Sequence, residues 1–117
     1  METKVIYHFT TVEEWEDAQD KGSYEPPSYQ REGFIHCATD EQLESVQQRH
    51  FKNSENLVKL VIDSSRLTQK LQYDRNEELN QEFPHIYGPL NLEAVTQIVF
   101  IDPITSDKEN IDNKRAV

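Results

Sequence analysis

Twice in this chain a short run of β-branched or aromatic residues leads directly into a helix capping box. The run Lys4–Phe9 is followed by the box at 11–14, and Phe34–Cys37 by the box at 39–42. A side-chain oxygen at the first position and a carboxylate or amide three residues later satisfy free N–H groups where a helix begins. The sequence therefore predicts two strand–helix units, with helices over about 12–21 and 40–51.

The rest of the chain is predicted to be mostly extended. Leu57–Asp63 is the most apolar run and is predicted to be the central strand of its sheet. Further strands are predicted at 71–73 and 97–101, a helical turn at 90–94, a Pro-stiffened loop at 24–33, a charged mobile loop at 74–81 and a rigid aromatic segment at 83–89. This order predicts an α+β fold of two small packed sheets, antiparallel or mixed, with two peripheral helices.

Length and composition predict a single domain. The chain has 117 residues, which suits one domain. We expect residues 1–101 to form this α+β domain. Residues 102–117 are polar and are expected to form a frayed C-terminal tail.

The charge pattern restricts the classes of partner. The formal net charge is −10, which repels phosphate backbones and makes nucleic acid an unfavourable partner. No run approaches the ~20 apolar residues of a membrane-spanning helix, so no membrane association is predicted. The single cysteine, Cys37, suits a reducing compartment, and we expect a cytoplasmic protein. A small molecule or nucleotide is the expected partner, and the sequence does not fix an oligomeric state.

Two histidines occupy equivalent places in the two strand–helix units. His8 and His36 each lie on a predicted strand shortly before a helix cap. Free backbone N–H groups at such a place suit an anion or a ribose hydroxyl. The pair therefore predicts a shared ligand pocket, and the alternative for each is a core histidine bonded to the backbone.

A third histidine lies in the aromatic segment 83–89. His85 is expected to close the pocket from the opposite side. Tyr87 is expected to stack on a flat ring and donate its hydroxyl. The alternative is a turn packed on the core.

The same residues offer two other chemistries, a zinc site and a nucleophilic cysteine. His8, His36, Cys37 and His85 supply enough ligands for zinc, but the sequence has no His-x-x-x-His or Cys-x-x-Cys spacing. The neighbours His36 and Cys37 also point to opposite faces of a strand. A helix dipole can activate Cys37 as a nucleophile, although cysteine is among the most often buried residues. No metal site is predicted.

The assembled strings resemble a known family. Those at 33–39 and 83–90, together with 6–10, Trp15, 22–28 and 60–63, resemble the domain of unknown function 952 family over about residues 4–101. This resemblance implies no established activity.

A more distant similarity is to the ADP-ribosyltransferase fold, on the branch of the RNA 2′-phosphotransferases. It is carried by Tyr7–Thr10, Ile35–Thr39 and Leu60–Asp63. The similarity implies that His8 contacts the ribose beside the nicotinamide of NAD and that His36 takes the second motif position.

The same similarity implies that His85 or Tyr87 lies near the third motif position. The glutamate that many ADP-ribosyltransferases use there has no counterpart in this sequence. Arg31, Arg49 and Arg66 are the nearby candidates for arginines that hold phosphate.

These observations predict a small domain that binds or acts on NAD or another ADP-ribose-bearing molecule, with NAD as a possible substrate. A non-catalytic nucleotide-binding or small-molecule-binding module is the alternative, and a metal-dependent hydrolase the second alternative. The expected catalytic residues are His8 and His36. The expected substrate-binding residues are Thr10, Ser28, Thr39, His85 and Tyr87.

Overall fold

The computed structural model describes residues 5–50, except the side chain of residue 50, and residues 56–101. The predicted end of the second helix near residue 51 and the predicted tail 102–117 lie outside the described residues.

The first strand–helix unit is confirmed. Strand β1 spans Val5–Thr11 and helix α1 spans Val12–Lys21. The Thr11 hydroxyl caps α1 by accepting the N–H of Glu14 at 3.1 Å. The helix ends at Gly22, whose left-handed backbone lets its N–H bond the carbonyl of Ala18.

The second unit is also present, with a shorter strand than predicted. Its strand β3 spans only Ile35–His36 and pairs with one neighbour. A 3₁₀ turn at Asp40–Gln42 leads into helix α3, Leu43–His50. The Gln42 side chain accepts the N–H of Thr39 at 3.0 Å, as a capping box requires.

The loop predicted at 24–33 is wrong. Strand β2 spans Ser23–Tyr24, and helix α2 spans Pro27–Glu32. Proline at the start of α2 costs no hydrogen bond, because the first N–H groups of a helix have no partner within it. The described residues therefore contain three α-helices, and the expectation of two was too low.

The predicted central strand is confirmed. Strand β4, Leu57–Asp63, lies between β1 and the last strand β8, Val95–Ile101, and both pairings are antiparallel. Its inward side chains Leu60 and Ile62 are fully buried. This three-stranded sheet forms one wall of the core.

The loop predicted at 74–81 is wrong as well. Strands β5, Lys70–Asn76, and β6, Gln81–Tyr87, form an antiparallel hairpin whose turn is only residues 77–80. The aromatic segment predicted at 83–89 is therefore mostly the middle strand of a second sheet, in the order β3-β6-β5.

A two-stranded pairing completes the described fold. Strand β7, Leu90–Asn91, pairs with β2, and a 3₁₀ turn at Leu92–Ala94 precedes β8. The described residues thus form an α+β fold with three small antiparallel sheets where two were expected. None of the described helices is long and apolar enough to cross a bilayer.

Backbone bonds tie the two three-stranded sheets together beside the two histidines. The N–H of Tyr7 donates to the carbonyl of Ala38 at 2.9 Å, and the N–H of Ala38 returns a bond to Tyr7 at 2.8 Å. This bridge brings the strand that carries His8 against the segment that follows His36.

Candidate functional site

One face of the sheet β3-β6-β5 is polar and faces a cavity. Ile35 and Ile86 are paired across β3 and β6, and both are fully buried in the core. Because side chains alternate along a strand, the neighbouring pair His36 and His85 lies on the opposite face. Gln72 of β5 pairs with His85 on its other side, so these three side chains form a row across the sheet.

The cavity has a volume of about 650 Å³. Its walls come from β1, α2, α3 and the polar face of this sheet. Four of the seven predicted site residues line it: His8, Ser28, His36 and His85. Sites for small molecules commonly occupy roughly 300–1,000 Å³, so the space suits a ligand of nucleotide size.

His8 is held in one protonation state at the back of the cavity. Its Nδ1–H donates to the backbone carbonyl of His36 at 2.5 Å, because a carbonyl can only accept. Its Nε2 therefore accepts the hydroxyl of Tyr24, at 2.8 Å. Burial is the largest cause that lowers the pKa of His8 to about 4, against the raising effect of the His36 carbonyl. His8 is thus a neutral imidazole at neutral pH.

Thr10 extends this buried polar group toward the cavity wall. It is 4% exposed, and its hydroxyl donates to the Glu14 carboxylate at 2.7 Å. The neighbouring Thr10 hydroxyl opposes the rise of the Tyr24 pKa that burial causes. Thr10 itself is not in the cavity lining, whereas Glu14 and Tyr24 are. Its described contacts are with the protein.

His36 stands at the exposed side of the cavity. Its Nε2–H donates to the carboxylate of Glu32, one helical turn earlier in the chain, at the end of α2. This hydrogen bond is the largest cause that lowers the pKa of Glu32. The His36 and His85 rings meet edge to face, with centroids 5.1 Å apart.

His85 is oriented by a carboxylate. Its Nδ1 is 2.8 Å from Oδ2 of Asp74, which also accepts the hydroxyl of Tyr87. The other oxygen of Asp74 accepts Nε2–H of Gln72 at 2.6 Å. The bonds from Tyr87 and then Gln72 are the largest causes that lower the pKa of Asp74 to about 2. Asp74 is therefore ionised and holds the Nδ1–H form of His85.

An aromatic ring fixes the plane of the same imidazole. Phe34 stacks on His85 with ring centroids 4.1 Å apart and an interplanar angle of 14°. Only 12% of the His85 side chain is exposed. Burial is the largest cause that lowers the pKa of His85, opposed first by its bond to Asp74. The ring is rigid and mainly neutral at pH 7.

Two more of the predicted substrate-binding residues, Thr39 and Tyr87, contact other protein groups and are, like Thr10, absent from the described lining. The Thr39 backbone N–H is used in the cap of the 3₁₀ turn. Tyr87 lies behind His85, and its bond to Asp74 raises its pKa. Tyr87 thus supports the site through Asp74. Ser28, by contrast, lines the cavity from the first turn of α2.

The other two chemistries considered from the sequence receive no support from the described residues. Cys37 is buried, and burial raises the pKa of its thiol, so the reactive thiolate is disfavoured. Within residues 5–50 and 56–101, no group of three or more His, Cys, Asp or Glu side chains is arranged to hold a metal ion.

Arginines and carboxylates both line the cavity, the carboxylates being those of Glu14, Glu32 and Asp74. Arg31, Arg49 and Arg75 all line it. Arg49 and Arg31 were two of the three arginines considered from the sequence. The third, Arg66, lies beside Asp63 at 3.5 Å and is not in the described lining.

Comparisons with known proteins agree with this fold. The model of the family described as "Protein of unknown function (DUF952)" matches residues 9–98. The chain belongs to this family. The predicted resemblance to it is therefore confirmed, while the comparisons show no similarity to ADP-ribosyltransferases.

Solved structures of another protein are similar to this DUF952 chain. The crystal structure of CC0527 from Caulobacter crescentus is 29% identical, with a TM-score of 0.77, over 84% of this chain and 86% of that one. The solution structure of CC0527 is also 29% identical, with a TM-score of 0.72, over 84% of each chain. The search of curated proteins found no match.

Sequence reasoning missed several residues that shape the site in this DUF952 chain. Asp74 was assigned to a loop, and Phe34, Tyr24 and Glu32 were given no role. One signal was available for Asp74. The alternation of Phe83, His85 and Tyr87 with buried Pro84 and Ile86 is typical of a strand with one polar face, and such a strand needs a neighbour.

Proposed function

We propose that the cavity binds an ADP-ribose-bearing small molecule such as NAD. The observation that carries the proposal is the convergence of His8, His36 and His85, from three separate strands, on one cavity of about 650 Å³. Convergent polar groups in the main concave site of a small domain are the usual mark of a ligand site.

The arginines supply the chemistry that a diphosphate needs. Arg31 on α2 and Arg49 on α3 line the same cavity, in a chain whose net charge is −10. A guanidinium group pairs with two phosphate oxygens at once, which makes arginine well suited to this ligand. We therefore assign the diphosphate to the side of the cavity formed by α2 and α3.

The histidines divide into two roles in this proposal. His36 and His85 stand on the polar face and meet the ribose. His8 fixes the position of β3, because its Nδ1–H holds the carbonyl of His36. A direct contact between His8 and a ribose hydroxyl, as the sequence suggested, requires Tyr24 to give up its bond to Nε2.

The proposed site is compatible with two activities, catalysis of a transfer reaction or binding alone. A transferase would use His36, the more exposed ring, to move a proton. A non-catalytic module would bind the ligand and release it unchanged. The hydrogen bond of His36 to Glu32 is compatible with both, and a product assay separates them.

Titration with ADP-ribose and with NAD tests the binding proposal directly. We expect the imidazole NMR signals of His36 and His85 to shift on addition of either compound. Arg31→Ala and Arg49→Ala should each weaken binding about 10-fold, since a charge-assisted hydrogen bond contributes roughly 1.5–3 kcal/mol.

Arg66→Ala is the matched control. It removes the same charge at a place outside the described cavity lining, beside Asp63. Binding by this variant should equal that of the wild type. If no histidine signal responds to millimolar ligand, the proposed function is wrong.

A further inference from the structure

We infer that His85 is the specificity residue of this site: its Nε2 accepts a hydrogen bond from a ribose hydroxyl of the ligand. This inference rests on the proposed function and names the group of the ligand that β6 recognises. It also sets the orientation of the ligand, with the ribose toward β6 and the diphosphate toward α2 and α3.

The hydrogen-bond partner of His85 determines which ring nitrogen carries the proton. Asp74 binds the Nδ1 side of the ring at 2.8 Å. An ionised carboxylate accepts and never donates, so the proton of the neutral imidazole lies on Nδ1. Nε2 then presents a lone pair, and the hydrogen bond that the structure shows for this ring uses Nδ1 alone.

The surroundings of Asp74 make this proton position durable. Its carboxylate accepts bonds from Tyr87 and Gln72 in addition to His85. Three donors to one carboxylate favour its charged form and fix its plane. Asp74 is therefore a positioning residue, which acts on the ligand only through His85.

Because the His85 ring is held rigidly, its Nε2 acceptor is selective for a hydrogen-bond donor. Phe34 stacks on one face of His85 with ring centroids 4.1 Å apart, and the His36 ring meets it edge to face with centroids 5.1 Å apart. The ring cannot rotate to present Nδ1 without losing its bond to Asp74. A fixed lone pair attracts a hydroxyl donor and repels phosphate oxygens, which only accept.

A fixed acceptor such as His85 Nε2 discriminates strongly against a ligand that lacks the matching hydroxyl. A site built to bond a hydroxyl rejects an analogue without it, because a polar group is then left unpaired. We therefore expect the wild-type protein to bind ADP-ribose at least about 10-fold more tightly than an analogue that lacks the hydroxyl at His85. Analogues deoxygenated at each ribose position in turn identify that hydroxyl.

Asp74→Asn is the decisive variant. The asparagine amide donates to Nδ1, so the imidazole proton moves to Nε2 and the acceptor becomes a donor. The ¹⁵N chemical shifts of His85 report this change of tautomer in the absence of any ligand. We expect the Nδ1–H form in the wild type, the Nε2–H form in Asp74→Asn, and a loss of ADP-ribose affinity of about 10-fold in that variant.

Three further variants separate positioning from folding. Tyr87→Phe removes one donor from Asp74 and keeps the carboxylate, so His85 should stay in the Nδ1–H form. His85→Gln places a side-chain oxygen near the position of Nε2 and should retain part of the affinity, whereas His85→Leu should lose it.

The outcomes distinguish a failure of the proposed function from a failure of the inference about His85. If ADP-ribose fails to bind the wild type, the proposed function and this inference both fail. If ADP-ribose binds and His85→Leu or Asp74→Asn binds it equally well, only the inference is wrong. An Nε2–H tautomer of His85 in the wild type also overturns it.

Discussion

Burial of a single imidazole gives this protein a specific dependence of stability on pH. The pKa of His8 is about 4 in the folded protein, against 6.5 for the ordinary side chain. Between these values the unfolded chain holds the proton and the folded chain does not. The free energy of unfolding therefore falls as the pH falls from 6.5 to 4, by about 3 kcal/mol from His8.

Urea denaturation at several pH values between 4 and 7 measures this loss. His8→Gln, which retains a donor and an acceptor, should show a flatter profile than the wild type over the same range. His85→Gln is the comparison, because the pKa of His85 is lowered too and contributes with the same sign. Profiles of equal slope for wild type and His8→Gln would show that His8 is not buried in its neutral form.

The sequence was most informative about residues whose position follows from their own strand. His8 and His36 were recognised because each precedes a helix cap, and the structure brings both to the cavity. Asp74 was missed because its role depends on pairing between β5 and β6. A carboxylate in a charged stretch has no local pattern that reveals which histidine it will meet.

At the scale of elements, the glycine after α2 controls how the chain enters the site. Gly33 has a left-handed backbone (φ 84°), and its N–H bonds the carbonyl of Tyr29 to end the helix. A Cβ on this residue would meet nothing within 4 Å, so a substitution tests the backbone alone. Gly33→Ala should lower the free energy of unfolding by about 1–2 kcal/mol.

Gly33→Asn provides the control, because asparagine tolerates the left-handed conformation better than alanine. It should be more stable than Gly33→Ala in the same urea titration, with an unchanged dependence on urea concentration. Equal stability of Gly33→Ala and the wild type would mean that α2 does not end in this conformation.

The sequence predicted the elements whose pattern lies within their own residues. It missed elements whose structure depends on other parts of the chain. Both capping boxes and the apolar run of β4 are present as predicted. Helix α2 was missed because two prolines were interpreted as a loop, although Pro27 begins a helix at no cost in hydrogen bonds. The hairpin β5–β6 was missed because its middle is charged, which is acceptable for a sheet face that is not in the core.

At the scale of the molecule, the backbone bridge between the sheets creates the site. The reciprocal bonds of Tyr7 and Ala38 hold β1 against the segment after β3, while Cys37 donates its N–H to Pro84 of β6 at 3.0 Å. Two strands that carry histidines are therefore fixed on either side of one space. No pattern within either strand specifies this contact, so the convergence was a hypothesis that only the fold could test.

The net charge of −10 leads to a prediction for the whole chain. With 22 acidic and 12 basic side chains, repulsion among negative charges opposes the compact state more than the exposed ion pairs favour it. Raising the salt from about 10 mM to about 150 mM shortens the screening length from roughly 30 Å to roughly 8 Å. The free energy of unfolding at pH 7 should therefore rise with salt.

Thermal or urea unfolding in NaCl measures the effect, and the same series near pH 4.7 is the control. The net charge is close to zero there, since the sequence gives an isoelectric point of about 4.7. The increase with salt should be much smaller at that pH, because little net repulsion is left to screen. A similar increase at both pH values would point to binding of the salt ions at a specific site, and a decrease at pH 7 would show that the ion pairs outweigh the repulsion.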